Sequence, residues 1–146
     1  MKKANKFTLT VESFSSNEYF VRAAVSAFIT QLDPTLEELN DIKTSVSEAV
    51  TNCIVHAYKD KIGKIYISVE LVDGIVKIKI RDKGCGIENV EEAMQPLFTT
   101  VGGERAGLGF AVMESFSDKV KVKSQVGKGT TVTLIKKLDL RVKGNA

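Results

Sequence analysis

The sequence predicts an α+β fold, a two-layer sandwich in which helices cover one face of a mixed, mostly antiparallel β-sheet. Several segments alternate apolar and polar residues, the period of a half-buried strand, and others repeat apolar residues at helical spacing. The predicted order is strand, helix, helix, hairpin, loop, helix, hairpin. Because hairpins join antiparallel strands, this order indicates helices packed on an antiparallel sheet rather than a doubly wound fold.

Composition indicates an ordinary globular protein. The 146 residues suit one domain, residues 1–146, with one core. Hydrophobic residues make up 43% and charged residues 27%, which separates the chain from disordered and fibrous proteins. The net charge is only +3 and the lysines are spread along strands, so solvated strand faces are favoured over a nucleic-acid surface.

We expect a cytoplasmic protein without membrane contact. Residues 1–6 are basic, but strand-like alternation follows them instead of the apolar core of a signal peptide. No apolar run approaches the ~20 residues that a membrane helix needs. The two cysteines, Cys53 and Cys85, form neither a disulfide framework nor a metal-ligand spacing, so both are expected to be reduced, with Cys53 in the core.

The first half of the chain predicts one strand and two helices. Apolar residues alternate over residues 6–12, and helical spacing then continues to Asp33-Pro34, a pair that suits the end of one helix and the start of the next. The second helix has an apolar stripe formed by Leu36, Leu39, Ile42, Val46, Ala49, Val50 and Cys53. Its other side carries polar residues, namely Asp41, Ser45, Glu48, Asn52 and His56.

The second half predicts two hairpins separated by a long loop. Alternation on both sides of Asp73-Gly74 indicates the first hairpin, and a turn at 127–129 indicates the closing one. Residues 82–106 contain several glycines around a short helical stretch at 90–94, and a helix is expected over 108–117. A loop of this length in a compact domain is usually functional.

Four short motifs together indicate an ATP site. Glu48 and Asn52 are four residues apart, so both side chains leave the same face of a helix and can converge on a metal-bound phosphate. Alone, such a pair is more simply a solvated helix face. It is followed, in order, by Asp82-x-Gly84-x-Gly86 after a strand, Gly107-x-Gly109 at a helix start, and Gly129-Thr130-Thr131 opening the last strand.

Two commoner nucleotide motifs are excluded. A P-loop needs glycine five positions before its Gly-Lys pair and Ser or Thr after the lysine, but Val122 and Gly129 occupy those positions around Gly127-Lys128. A dinucleotide fingerprint needs a parallel strand-helix unit, whereas Gly84 and Gly86 follow the second strand of a hairpin.

These motifs resemble the ATPase superfamily of gyrase, the mismatch-repair protein MutL and the histidine kinases. More narrowly, residues 46–52 (VSEAVTN), 95–100 (QPLFTT) and 104–110 (ERAGLGF) resemble the sporulation anti-sigma F factors. The resemblance spans about residues 7–136. The Pro-Leu-Phe-Thr-Thr run is its most discriminating part, because the related stress-response anti-sigma kinases differ there.

The resemblance implies a role for each motif. Asn52 would coordinate Mg²⁺ through its amide oxygen, and Glu48 would act as general base. Asp82 would accept a hydrogen bond from the adenine amino group, with Thr130 nearby. Gly84 and Gly86 would let the backbone pass close to the base, and Gly107 and Gly109 would present amide donors to phosphate.

Residues 99–106 match the lid over the triphosphate, which includes Thr99, Thr100 and Arg105. Arg105 would meet the γ-phosphate as a fixed positive charge. Relatives usually carry Lys-Pro after the second threonine and Ser before the first glycine of the pair, whereas this chain has Val101-Gly102-Gly103 and Ala106, in a segment one residue shorter. We therefore expect a looser lid without a lysine.

The implied function is that of a serine kinase and anti-sigma factor. It would bind sigma factor F with ATP or ADP present, phosphorylate a serine of an anti-anti-sigma partner, and form a homodimer. Arg22 matches a residue that touches both partners, although a solvated helix charge is the simpler alternative. His56 is not expected to be a phospho-acceptor, because the chain has no room for a dimerisation helix pair. A stress-response counterpart and a non-catalytic module that sequesters a partner are the alternatives.

Overall fold

The computed structural model describes residues 4–95 and 104–139, and for 104–108 only the course of the backbone. Five strands form one sheet: β1 (Asn5–Glu12), β2 (Lys64–Val72), β3 (Ile75–Asp82), β4 (Lys119–Gln125) and β5 (Gly129–Lys137). The helices are α1 (Ser16–Ile29), α2 (Leu36–Asn52), α3 (Val90–Ala93) and α4 (Glu104–Phe116). The sheet order is β1-β2-β3-β5-β4, and each neighbouring pair is antiparallel.

The sheet buries one face and exposes the other. Alternate side chains on β2, β3 and β5 enter the core, among them Ile67, Ile78 and Leu134, each at most 3% exposed. Their neighbours along each strand, such as Lys79, point to the opposite, open face. Helices α1, α2 and α4 cover the buried face and contribute core residues such as Val25. The predicted α+β sandwich is therefore confirmed.

A capping box explains where α2 begins. Thr35 and Glu38 form a reciprocal capping box, with bonds of 3.0 and 2.9 Å between each side chain and the other residue's backbone amide. Upstream, a 3₁₀ turn (Thr30–Leu32) ends at Asp33, which has a left-handed φ of 53°, so the predicted break at Asp33-Pro34 is confirmed. At its other end α2 continues into a π-helical turn, Cys53–Ala57.

The polar side of α2 faces protein rather than solvent. Ser45 is 2% exposed, and its hydroxyl lies 3.4 Å from that of Ser117, just after α4. Asp41 accepts a 3.1 Å bond from Lys136 of β5, and the same ammonium group donates to the Phe116 carbonyl. The side that the sequence showed as polar is thus the contact surface for α4 and for the C-terminal end of β5.

Most predicted boundaries agree with the structure, with one exception that matters for the site. The helix expected over residues 108–117 begins four residues earlier, at Glu104. The residues Glu104-Arg105-Ala106 are good helix formers, so the glycines that follow do not mark the start. Gly107 therefore belongs to the first turn of α4, whose amides have no intrahelical acceptor, and Gly109 lies two residues further on.

The expectations on cysteines and membrane segments can also be compared with the structure. Both cysteines are free, and Cys53 is buried whereas Cys85 is exposed. Over the two ranges that the structure describes, no helix has the length and apolarity needed to cross a bilayer.

The Lys136–Asp41 pair is expected to contribute measurably to stability. Both side chains are about four-fifths buried, so Lys136→Met leaves a carboxylate and a helix-end carbonyl without their donor. We expect a loss of about 1–3 kcal/mol in the free energy of unfolding, measured by urea titration. The matched control is Lys64→Met, whose ion pair with Glu12 is roughly half exposed and screened by solvent, so its loss should cost clearly less than that of the Lys136 pair. Equal losses in the two variants would contradict this assignment.

Candidate functional site

A cavity of about 210 Å³ opens where the end of α2 meets α4, β5 and the glycine loop after β3. Its lining is mainly apolar, with a few polar groups that converge on it. The lining residues include Asn52, Cys53, His56, Asp82, Gly86, Ile87, Phe110, Thr130 and Val132. Pockets for whole drug-sized ligands are usually about 300–1,000 Å³, so this one matches a planar ring system that forms part of a larger ligand.

Asp82, the last residue of β3, is the central polar group of the cavity. It is 5% exposed. Its Oδ1 accepts two backbone bonds, 2.9 Å from the Gly84 amide and 3.2 Å from the Thr130 amide. Its Oδ2 accepts a 3.5 Å bond from the Cys53 thiol. The carboxylate thereby joins three parts of the chain that are distant in sequence.

Burial perturbs both members of the Asp82–Cys53 pair. Loss of solvent raises the pKa of the Asp82 carboxyl, and the three hydrogen bonds that it accepts oppose that rise. Burial also raises the pKa of the Cys53 thiol well above its usual value, with the nearby Asp82 charge adding to the effect. Cys53 therefore keeps its proton at neutral pH and remains a donor.

Thr130 is held by a residue that the sequence motifs did not indicate. The Ser124 hydroxyl lies 2.7 Å from that of Thr130 and also bonds the Gly129 carbonyl and the Ile87 amide. Ser124 on β4 thus fixes the side of the cavity that Thr130 and Ile87 line. Only the β4–β5 pairing, Ser124 opposite Thr130, relates this serine to the site, so no local motif reveals it.

The glycines of the loop after β3 are required by protein packing. A Cβ on Gly84 would overlap the Ala57 carbonyl, and one on Gly86 would overlap the Gln125 carbonyl. Gly86 also has a φ of +80°, which favours glycine. The family resemblance implies that these glycines let the backbone pass close to a base, and that role stays a prediction. The structure shows a packing requirement, because the loop lies between the end of α2 and the β4–β5 turn.

Glu48 and Asn52 lie half-buried beside α4, next to the cavity. A Cβ built on Gly109 would be 3.1 Å from Glu48 Oε1 and 3.4 Å from Asn52 Oδ1, so both side chains reach the same point of α4. This confirms that the pair converges. Amide donation by Gly107 and Gly109 to a phosphate stays a prediction. The short Cβ distances show that α4 approaches the pair closely at Gly109.

The site can accept a hard cation next to Asn52. The Asn52 Nδ2 atom is buried and has no hydrogen-bond partner among the described residues. An amide in that situation can turn its oxygen toward a ligand, and Mg²⁺ usually takes one or two protein oxygens together with phosphates and waters. The chemistry of Asn52 and the carboxylate of Glu48 therefore fit a magnesium–phosphate group.

The structure does not bring every predicted residue together. Thr99, Thr100 and the Arg105 side chain lie outside the described residues. Arg22 lies on α1, where it pairs with Glu18 at 3.3 Å and stacks on the Tyr19 ring at 5.4 Å. It is not among the residues that line the cavity.

Comparison with known proteins identifies the family of this chain. The family model for the histidine kinase-like ATPase domain matches residues 16–136. An anti-sigma F factor of Caldanaerobacter subterraneus is 55% identical over 137 residues, which are 93% of this chain and 96% of that protein. An anti-sigma F factor of Anoxybacillus flavithermus is 56% identical over 92% of this chain and 93% of its own length.

Solved structures share the fold at lower identity. The RsbU and RsbW domains of a Mycobacterium tuberculosis protein superpose with a TM-score of 0.69 at 22% identity, over 92% of this chain and 32% of that longer one. A histidine kinase domain from Erythrobacter litoralis gives a TM-score of 0.53 at 18% identity, over 83% of this chain and 61% of its own. With an ATPase-type fold, a cavity built around Asp82 and full-length similarity at about 55% identity, the chain belongs to the anti-sigma F factors, within the histidine kinase-like ATPase family.

Proposed function

We propose that this protein is an ATP-dependent protein-serine kinase that also binds and inhibits a sporulation sigma factor, sigma F. Its phosphoryl acceptor would be a serine of an anti-anti-sigma protein, and it would act in the cytoplasm as a homodimer. The observation that carries the kinase proposal is the convergence of Glu48 and Asn52 on Gly109, beside the cavity around Asp82. The names of its relatives support the anti-sigma part.

The cavity would hold the adenine ring. Its apolar lining suits both faces of a flat heterocycle, and Asp82 offers an acceptor for the exocyclic amino group. Oδ1 already accepts two backbone amides, so Oδ2 is the oxygen available to a ligand. Thr130 borders the same region through its hydroxyl. ATP and ADP would share this mode of base binding.

The phosphates would lie toward Asn52 and Glu48. Asn52 would hold Mg²⁺ through its amide oxygen, and the bound cation would supply charge neutralisation at the phosphates. Glu48 would accept the proton of the attacking serine hydroxyl, a role worth roughly 10²–10⁴-fold in rate. The four-residue spacing on α2 keeps the proton acceptor one helical turn from the metal ligand.

The lid residues would also contact the bound nucleotide. Thr99, Thr100 and Gly107 would contact the nucleotide, and Arg105 would neutralise charge at the γ-phosphate. Because Val101-Gly102-Gly103 provides no lysine, Arg105 would carry more of that neutralisation than its counterpart in relatives with one.

A transfer assay tests the kinase proposal. Wild-type protein incubated with γ-labelled ATP, Mg²⁺ and the anti-anti-sigma protein should label a serine of that partner. Glu48→Gln should lower the rate by about 10²–10⁴-fold, because the hydroxyl loses its proton acceptor, while ADP affinity should stay within about twofold. Glu37→Gln, an exposed glutamate in the first turn of the same helix, is the matched control and should transfer normally.

The second candidate is a module that binds ATP and sequesters its partner without chemistry. It would be favoured if the wild-type protein bound ATP and the sigma factor yet left the partner serine unlabelled. Retention of a carboxylate at 48 beside the amide at 52 argues for the kinase, because sequestration needs no base. The stress-response alternative would be favoured if only a stress-response partner were labelled.

The partner surface is proposed to include the start of α1. Tyr19 is 68% exposed and Phe20 49%, unusually high for aromatic side chains that neighbour each other. Arg22 follows one turn later, held in place by Glu18 and by the Tyr19 ring. A preorganised arginine beside exposed aromatic rings has the composition of an interaction hot spot. Next to it, β1 forms one edge of the sheet, which suits a dimer contact.

Capture of the sigma factor tests this surface. Immobilised wild-type protein should retain sigma F with ATP or ADP present and retain less without nucleotide. Arg22→Ala should weaken retention about tenfold, because it removes the charge and the stacked group together. Arg81→Ala is the matched control, since that arginine also stacks on a tyrosine, Tyr66, but lies on the open face of the sheet. If both variants bound like wild type, Arg22 would be an ordinary helix charge.

Replacement of Asp82 by asparagine should weaken nucleotide binding and, without nucleotide, raise stability. Asp82→Asn keeps an oxygen for the Gly84 and Thr130 amides but turns the remaining acceptor into a donor, so ADP affinity should fall at least about tenfold. Burial raises the pKa of the wild-type carboxyl, so the ionised group lowers stability above that pKa, and the neutral amide does not.

Without nucleotide, Asp82→Asn should therefore have the higher Tm at neutral pH. The difference in Tm between the two proteins should narrow as the pH falls through the raised pKa of Asp82. It should vanish near the ordinary carboxyl pKa, where the Asp82 carboxyl of the wild type is neutral too. Thermal melts of both proteins at several pH values measure this. A difference in Tm that did not change with pH would show that the ionised Asp82 does not lower the stability of the wild type.

A further inference from the structure

We infer that Cys53 is a positioning residue for base selectivity, because its thiol donates to the oxygen of Asp82 that would read the adenine amino group. This inference rests on the proposed function, in which Asp82 accepts that hydrogen bond. The sequence placed Cys53 only in the apolar stripe of α2. The structure places its sulfur 3.5 Å from Asp82 Oδ2, at the wall of the cavity.

The two oxygens of Asp82 have different partners. A carboxylate oxygen has about two acceptor sites. Those of Oδ1 are taken by the Gly84 and Thr130 amides, at 2.9 and 3.2 Å. Among the described residues, the Cys53 thiol is the single donor given to Oδ2. One acceptor site of Oδ2 therefore remains, which suits one N–H of a bound base.

Cys53 reaches Asp82 from the end of α2. It begins the π-helical turn that follows α2, directly after Asn52, and it is 4% exposed. Its partner is 29 residues away in sequence, at the end of β3. The bond thus links the helix that carries the proposed metal ligand to the strand that carries the proposed base reader.

The thiol would favour adenine through the form of the carboxylate that it stabilises. A donor directed at Oδ2 stabilises Asp82 as an acceptor, the form that can bind the N6–H of adenine. Hypoxanthine has a carbonyl oxygen at the same ring position. That oxygen and Asp82 Oδ2 are both acceptors, so they cannot form a hydrogen bond with each other. Without the thiol bond, the ionised form of the Asp82 carboxyl group is less stabilised. The protonated form can then donate a hydrogen bond to the hypoxanthine carbonyl. Selectivity should therefore fall.

The alternative is that Cys53 only fills space in the core. Free cysteine often behaves as a small buried apolar residue, and a weak S–H donor contributes little to stability. The two roles differ in what they predict. A space-filling residue affects the affinity for all nucleotides alike, through the fold, whereas a donor to Asp82 affects the ratio between adenine and hypoxanthine nucleotides.

The test is the ratio of dissociation constants for inosine diphosphate and ADP, measured by titration calorimetry on the full chain. The two ligands share ribose and phosphates, so the ratio reports the base alone. Wild type should prefer ADP. Cys53→Ala should reduce the preference by about three- to tenfold, and Cys53→Ser, which restores a hydroxyl donor, should recover much of it.

Two further variants control for a loss of stability and for a loss of side-chain volume. Val46→Ala, a fully buried position two turns earlier on α2, should lower the Tm and leave the ratio unchanged. Cys53→Val fills the same space without a donor and replaces the alanine variant if that one does not fold. An unchanged ratio in the folded variants that lack a donor would overturn the inference. A wild-type protein that does not distinguish the two nucleotides would instead show that the proposed reading of adenine by Asp82 is wrong.

Discussion

The arrangement of the candidate site depends most on one buried, hydrogen-bonded carboxylate. Asp82 ends β3 inside the protein, and a charged group there is tolerated only because hydrogen bonds from three directions reach it. Two come from backbone amides of the glycine loop and of β5, and one from the thiol at the end of α2. The same bonds bring the loop after β3, the start of β5 and the end of α2 together at the cavity. The groups that satisfy this carboxylate are therefore also groups that form the site.

The second constraint is that α2 packs against other parts of the protein on both of its sides. One side of the helix supplies the core, including Val46 and Val50, which are fully buried. The other side lies against α4, and this contact holds Glu48 and Asn52 half-buried instead of leaving them in water. Residue 109 is glycine, and an added Cβ there would lie only 3.1 Å from Glu48 Oε1, so the side chains would have to shift slightly. A phosphate-handling pair is thus held by ordinary helix packing.

Most of the fold could be predicted from local patterns. Alternation and helical spacing are properties of a few consecutive residues, so β1, the β2–β3 hairpin and α2 were found near their observed bounds. The start of α4 was not, because Gly107 and Gly109 are typical of a loop that ends at a helix, whereas both lie within the helix. The contact of Gly109 with Glu48 and Asn52 joins α4 to α2, and a local pattern does not contain it.

The sequence by itself determined the fold class, the helix face that carries Glu48 and Asn52, and the loop and strand that carry Asp82 and Thr130, because spacing along a chain reports the direction in which side chains point. The family resemblance added their expected roles. Only the tertiary structure decided what surrounds those groups. It placed Cys53 and Ser124 behind Asp82 and Thr130 and gave the loop glycines a packing role, because these contacts join elements whose separation in sequence carries no periodic signal.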